Sequence, residues 1–205
     1  PTTRESYVDV SSDGSLMLFY KWNYELGVWE WYVTPTNGGD TPKNILRMGH
    51  GRRFSPDGQR IGYIKGNFPG QNDSPSGKME LWTIRIDGTD ARREFIDSIS
   101  VTEGSYNFAF SPDGKKVVWI RSFPEKYQEI VIHDLQTGSE RTITSARRMI
   151  DDLAWVNGDR IIYTTDVGGI FNIWVVPVEG GEPVQVTHSI KDIIGIKSSR
   201  DGLKI

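Results

Sequence analysis

Residues 54–64 read FSPDGQRIGYI and residues 110–120 read FSPDGKKVVWI, so one turn and one strand pattern occur twice. In the shared Ser-Pro-Asp-Gly turn, proline presets the backbone for a tight turn and glycine accepts a positive φ. The apolar residues that follow are typical of a β-strand with a buried face. Each stretch therefore predicts a β-hairpin at the start of a repeated unit.

Variants of this turn recur along the chain. The turn glycines are separated by 44, 56, 44 and 44 residues, and they are Gly14, Gly58, Gly114, Gly158 and Gly202. The long interval contains two insertions, at residues 66–77 and near residues 98–106. Both insertions are polar or rich in Gly and Pro, as surface loops are. The regular spacing indicates an internal repeat of about 44 residues.

Two columns of the repeat are apolar. The first lies five residues after each turn glycine and contains Phe19, Tyr63, Trp119 and Tyr163. The second lies in the next strand and contains Tyr32, Trp82, Val131 and Trp174. Units of this length with four short strands are typical of β-propeller blades, whose faces pack against neighbouring blades.

We therefore predict an all-β protein, a β-propeller with about four and a half four-stranded blades of a larger propeller. The predicted blades are residues 6–49, 50–104, 105–148 and 149–190, with the start of a fifth at 191–205. The alternative architecture is a β-sandwich or a solenoid of meanders. A run of blades that stops inside a hairpin would expose an unpaired strand edge, so we expect the natural protein to be longer.

The amino-acid composition excludes several classes of site and partner. The 205 residues include no cysteine, which excludes disulfides, thiolate catalysis and cysteine-based zinc sites. The net charge of −3 argues against nucleic acid as a partner. No apolar run has the ~20 residues of a membrane span, so membrane insertion is not expected. No stretch reads as a signal peptide.

Three stretches carry a family resemblance. Residues 54–64, 110–120 and 173–187 resemble the Ser-Pro-Asp-Gly subclass of WD-like propeller repeats. TolB-like propellers and the propellers of tricorn-type and prolyl-oligopeptidase-type serine peptidases belong to this subclass. The resemblance implies a propeller of six to eight blades, a periplasmic or secreted location, and binding of a protein or peptide. Ser12 and Val156 depart from the motif, because they stand where it has proline.

The chain has no Gly-x-Ser-x-Gly nucleophile motif and no His-Glu-x-x-His metal motif, and we expect no catalytic residue, no metal site and no cofactor within it. His50 and His188 follow last strands of blades and are expected to be solvated loop residues. Two alternatives to a non-catalytic binding module stay open. One is the accessory propeller of a serine peptidase, and the other is a carbohydrate-active propeller enzyme.

The candidate partner-binding residues lie in loops. Six of them are in connections between blades, which surround one mouth of a propeller channel, and they are His50, Arg52, Arg53, Asn107, Arg147 and Arg148. Two further candidates, Trp22 and Trp29, flank a hairpin tip with Tyr24 in the first unit. Exposed aromatic groups and arginines are typical of protein-binding surfaces. The alternative role for the charged residues is a set of surface salt bridges.

Overall fold

The computed structural model describes residues 5–47, 50–68, 71–72, 76, 78–97, 107–123, 127–193 and 195–197. It has the predicted fold class, an all-β chain with four four-stranded antiparallel blades of a β-propeller. The chain divides into two compact units, Pro1–Ile96 and Asp97–Ile205. In the described part of the chain, no helix is long and apolar enough to cross a membrane.

The first sheet contains β1 (Glu5–Val10), β2 (Leu16–Asn23), β3 (Val28–Pro35) and β4 (Lys43–Arg47), paired in chain order. The second contains β5 (His50–Phe54), β6 (Arg60–Lys65), β9 (Met79–Arg85) and β10 (Arg92–Asp97). Between β6 and β9 lies a small hairpin of β7 (Asn67–Phe68) and β8 (Gln71–Asn72).

In the second unit, the third sheet contains β11 (Phe108–Phe110), β12 (Lys116–Ser122), β13 (Gln128–Asp134) and β14 (Glu140–Ala146). The fourth contains β15 (Ile150–Val156), β16 (Arg160–Thr165), β17 (Asn172–Pro177) and β18 (Val184–Gln185). A short 3-10 helix, Val167–Gly169, joins β16 to β17.

The repeated turn has the predicted geometry, with the four described turn glycines at φ between 69° and 75°. Ser11 Oγ donates to Asp13 Oδ1 at 2.7 Å and accepts from the Leu16 amide at 2.8 Å. The same pair of bonds recurs in the turns at residues 55–60 and 111–116. The bond from Ser11, with bonds from Ser15, lowers the pKa of Asp13 to about 2.

The two predicted apolar columns are cross-strand partners. Their described pairs are Phe19 with Tyr32, Tyr63 with Trp82, Trp119 with Val131 and Tyr163 with Trp174. The first-column residue of each pair is buried in the second, third and fourth sheets and half-buried in the first. The predicted strand register is therefore confirmed.

Neighbouring sheets within each unit are linked by hydrogen bonds that span one repeat. In the first unit, Ser12 Oγ donates to the Pro56 carbonyl, 44 residues along the chain, at 2.7 Å. In the second unit, the Asn107 side chain donates to the Asp151 carbonyl at 2.6 Å, again 44 residues apart. The two residues joined by each of these hydrogen bonds are thus one repeat length apart in the sequence.

Some predictions fall on residues that are only partly described. The predicted loop at 66–77 contains the β7–β8 hairpin, so part of it is regular, and residues 69–70, 73–75 and 77 lie outside the described residues. The insertion at 98–106 and the turn at 199–202 also lie outside them. Of the predicted fifth blade, only 191–193 and 195–197 are described.

Candidate binding surface

The hairpin of β2 and β3 carries a row of four aromatic rings on one face. Trp22 and Trp29 are directly opposite each other, with ring centroids 5.0 Å apart at 68°. Tyr20 contacts both Trp29 and Trp31, with centroids 4.9 Å apart in each case. Edge-to-face and tilted contacts of this kind are favourable arrangements of aromatic rings. We call Tyr20, Trp22, Trp29 and Trp31 the aromatic row.

Arg52 packs against Trp31, at the inner end of the aromatic row. Its guanidinium carbon lies 3.4 Å from the centroid of the Trp31 ring, which is a close cation–π contact. Both residues are buried, so little water screens the interaction. Arg52 therefore fixes one end of the row rather than projecting from a loop.

The outer end of the row leads to an exposed hairpin tip, residues 24–27. Tyr24 is 61% exposed and Leu26 is 52% exposed. Asn23 shapes the tip, because its Oδ1 accepts hydrogen bonds from the amides of Glu25 and Leu26 at 3.0 Å. Two large apolar side chains are thus held in solvent by a fixed backbone, which lowers the entropic cost of binding a partner.

A buried carboxylate supports the hairpin from its other face. Glu30 accepts hydrogen bonds from Tyr32 at 2.8 Å, Asn23 at 3.1 Å and Arg47 at 3.0 Å. Burial raises the pKa of Glu30, but these three bonds outweigh it and hold the pKa below its ordinary value. Glu30 is therefore charged at neutral pH and anchors Asn23, the residue that shapes the tip.

The remaining candidates of the first unit lie on β5. His50 is half-buried and pairs with Ile64 across the sheet. Arg53 is also half-buried and pairs with Gly62. The register shifts between His50 and Arg53, and this bulge sets which face of the strand each arginine takes.

In the second unit, the three candidates have different environments. Asn107 Nδ2 donates to the Asp151 carbonyl at 2.6 Å, so its amide links the third sheet to the fourth. Arg147 and Arg148 are exposed in the bend between β14 and β15. Neither forms a hydrogen bond or ion pair with the described residues.

A buried ionic cluster in the second unit was not predicted from the sequence. Asp97 Oδ2 accepts hydrogen bonds from Trp119 Nε1 at 2.8 Å and Arg121 Nε at 2.9 Å. Arg121 also donates to Glu140 Oε2 at 2.8 Å. Loss of any one partner would leave an uncompensated buried charge, which is strongly destabilising. The long sequence separation of these partners leaves no local motif for them.

The three histidines are divided between the two units. Burial lowers the pKa of His133, so this side chain is neutral at pH 7. His50 belongs to the first unit and His188 to the second. Among the described residues, no three His, Asp or Glu side chains form a group that would hold a metal ion.

Comparison with known proteins yields two kinds of relative. The Tol-Pal system protein TolB of Histophilus somni is 28% identical over 116 residues, which cover 55% of this chain and 26% of that protein. Dipeptidyl-peptidase 5 of Porphyromonas gingivalis is 26% identical over 152 residues, which cover 68% of this chain and 21% of that protein. The chain thus spans about a quarter or less of each relative. No family model matches it.

Solved structures share the fold. A putative TolB from Agrobacterium tumefaciens matches 92% of this chain and 64% of its own, with a TM-score of 0.71 and 19% identity. An oligogalacturonate lyase from Vibrio parahaemolyticus matches 92% of this chain and 61% of its own, with a TM-score of 0.67 and 11% identity. At these identities, the similarity concerns the fold and not the function.

Proposed function

We propose that the chain, a β-propeller similar to TolB, is a non-catalytic module that binds a protein or peptide partner through loops at one end of its strands. The observation that carries this proposal is the aromatic row, held by Arg52 at one end and leading to an exposed tip at the other. Tyrosine, tryptophan and arginine are the residues that contribute most to protein–protein binding energy.

The geometry of the row suits a protein surface or a peptide. The rings of Trp22 and Trp29 are half-buried and fixed by mutual contact, while Tyr24 and Leu26 project beyond them. A partner that covers the tip gains apolar burial without having to order the loop. In the second unit, the exposed guanidinium groups of Arg147 and Arg148 would pair with carboxylates of a partner.

The proposal includes a periplasmic or secreted location, which rests on the named TolB relatives. A second candidate is the accessory propeller of a larger peptidase, favoured by the match to dipeptidyl-peptidase 5 over 68% of this chain. The sequence of the parent gene beside this segment distinguishes the two candidate functions. A following domain with Gly-x-Ser-x-Gly supports the peptidase, whereas further blades without such a domain support the binding module.

Selection from a random-peptide phage library tests the proposed surface directly. We expect peptides selected on the unchanged chain to bind at least about tenfold more weakly to the double variant Tyr24→Ser/Leu26→Ser, because hot-spot aromatic groups contribute this much or more. The matched control is Val184→Ser/Val186→Ser, which removes two other exposed apolar side chains. If the selected peptides bind both double variants equally, the hairpin tip is not the binding surface.

A further inference from the structure

A cavity of about 410 Å³ opens in the first unit between the first two sheets. Leu16 and Pro35, which pair where β2 begins and β3 ends, line it, so it lies at the opposite end of the strands from Trp22 and Trp29. Val33 and Ile86 add further apolar surface. This volume falls within the ~300–1,000 Å³ of typical small-ligand sites.

The repeat supplies a counterpart of this cavity in the second unit. Lys43, at the cavity edge, pairs with Val33 in the first sheet. At the same register position of the third sheet, Arg141 pairs with Ile132. Lys43 and Arg141 therefore occupy equivalent positions in the strand register of their sheets.

The opposite wall of the cavity is equivalent in the same way. Arg85 pairs with Arg60 at the end of β9, and Ile86 and Asp87 follow it. Pro177 pairs with Arg160 at the end of β17 in the fourth sheet, and Val178 and Glu179 follow it. Asp87 thus corresponds to Glu179, and Ile86 to Val178.

In the second unit, the side chain of Arg141 reaches from the third sheet to the residues that follow β17 in the fourth. Its guanidinium donates to the Val178 carbonyl at 2.7 Å, and another of its nitrogens lies 3.4 Å from the Glu179 carboxylate. The fold therefore already contains one occupied example of the site. The occupant is the side chain of an arginine.

In the first unit, no such occupant is present among the described residues. Lys43 is exposed and forms no hydrogen bond or ion pair with Ile86 or Asp87 in the part of the chain that the structure describes. Hydrogen bonds from Thr89 lower the pKa of Asp87, so this carboxylate is charged at neutral pH. An acceptor equivalent to Glu179 thus stands at the edge of an open cavity.

The charges that line the cavity are balanced. Asp40 and Asp87 supply two carboxylates, and Lys43 and Arg85 supply two cations. Asp90 Oδ2 lies 3.4 Å from Arg85 Nε and 2.7 Å from Arg60, so this carboxylate offsets only one of the two arginines. The equivalence with Arg141, and not the net charge, therefore favours an arginine side chain. We propose that this cavity binds the arginine side chain of a peptide partner, in the place that Arg141 occupies in the second unit.

The probe is the blocked dipeptide N-acetyl-leucyl-arginine amide, and the readout is the methyl NMR shifts of Leu16, Val33 and Ile86. We expect the methyl signals of these three residues to shift in a saturable way. The same dipeptide with citrulline, which has the shape of arginine without its charge, is expected to bind at least about tenfold more weakly, because charge-assisted hydrogen bonds are lost. Asp87→Asn is expected to weaken binding of the arginine peptide in the same way.

Two substitutions at Lys43 distinguish blocking of the cavity by a side chain from a change in the charge around it. Lys43→Arg keeps the charge but supplies the side chain that closes the site in the second unit, so we expect it to block the arginine peptide. Lys43→Gln removes the charge without filling the cavity, so binding is expected to be equal or tighter. If Lys43→Arg binds the peptide as the unchanged chain does, or if citrulline binds equally well, the proposal is wrong.

This site is separate from the proposed partner surface. Tyr24→Ser/Leu26→Ser alters the other end of the hairpin, so it is expected to leave the arginine-induced shifts of Leu16 and Ile86 unchanged. Failure of one proposal therefore leaves the other standing. Loss of the arginine-induced shifts in that double variant would contradict the assignment to the cavity.

Discussion

Arg52 places its guanidinium 3.4 Å above the ring of Trp31, and this contact joins β5 of the second sheet to β3 of the first. Arg52 is only 7% exposed. The contact therefore acts in a desolvated environment, where cation–π interactions are strongest. It fixes the inner end of the aromatic row and, with it, the position of the two tryptophans near the tip.

Replacing Arg52 is expected to destabilise the first unit. Arg52→Ala removes a buried cation–π contact, so the free energy of unfolding should fall by about 2 kcal/mol. Urea denaturation followed by tryptophan fluorescence measures the change. Arg147→Ala is the matched control, because Arg147 is exposed, and its effect should stay within about 0.5 kcal/mol. Equal effects of the two substitutions would contradict this role for Arg52.

Replacing Trp119 tests whether the first apolar column of the repeat is buried. Its side chain is 2% exposed and its indole donates to Asp97. Trp119→Ala should lower the free energy of unfolding by about 3–5 kcal/mol, because it leaves a large cavity. Chemical denaturation provides the value. A loss below about 1 kcal/mol, which is typical of exposed sites, would contradict the strand register.

The turn aspartates predict an acid-sensitive fold. Hydrogen bonds from Ser11 and Ser15 lower the pKa of Asp13 from 3.8 to about 2. A lowered pKa in the folded state means that the stabilisation is present above pH 3.8 and is lost as the pH falls toward 2. The pKa of Asp113 is lowered in the same way, chiefly by Ser111.

The urea midpoint is therefore expected to decrease between about pH 5 and pH 2. Asp113→Asn keeps the acceptor of the turn but removes the titration, so it should make this decrease shallower. Asp40→Asn is the control, because Asp40 is exposed and lies outside these turns. If Asp40→Asn reduces the pH dependence as much as Asp113→Asn does, the turn hydrogen bonds are not its source.

The repeat could be predicted because residues close together in the sequence mark it. The turn glycines mark each hairpin, and the column of Phe19 follows from counting five residues after each of them. Strand side chains alternate between faces, so the neighbours of this column could also be assigned to a face. The structure confirms the pairing of Phe19 with Tyr32.

The environments of individual site residues could not be predicted, because they depend on bulges and on distant parts of the chain. The bulge between His50 and Arg53 places Arg52 against Trp31, and nothing in the sequence marks it. The bond from Asn107 to the Asp151 carbonyl crosses 44 residues. The equivalence of Lys43 and Arg141 also appears only once the strand register is known.

The most direct measurement of the central claim is the indole NMR spectrum of the chain with a peptide selected on it. The chain has seven tryptophans, so each indole N–H is a separate reporter. We predict that the peptide shifts the indole signals of Trp22 and Trp29. The signals of Trp119 and Trp155, which donate to Asp97 and to the Ala109 carbonyl, should stay unchanged. Shifts at Trp119 or Trp155 without shifts at Trp22 and Trp29 would contradict it.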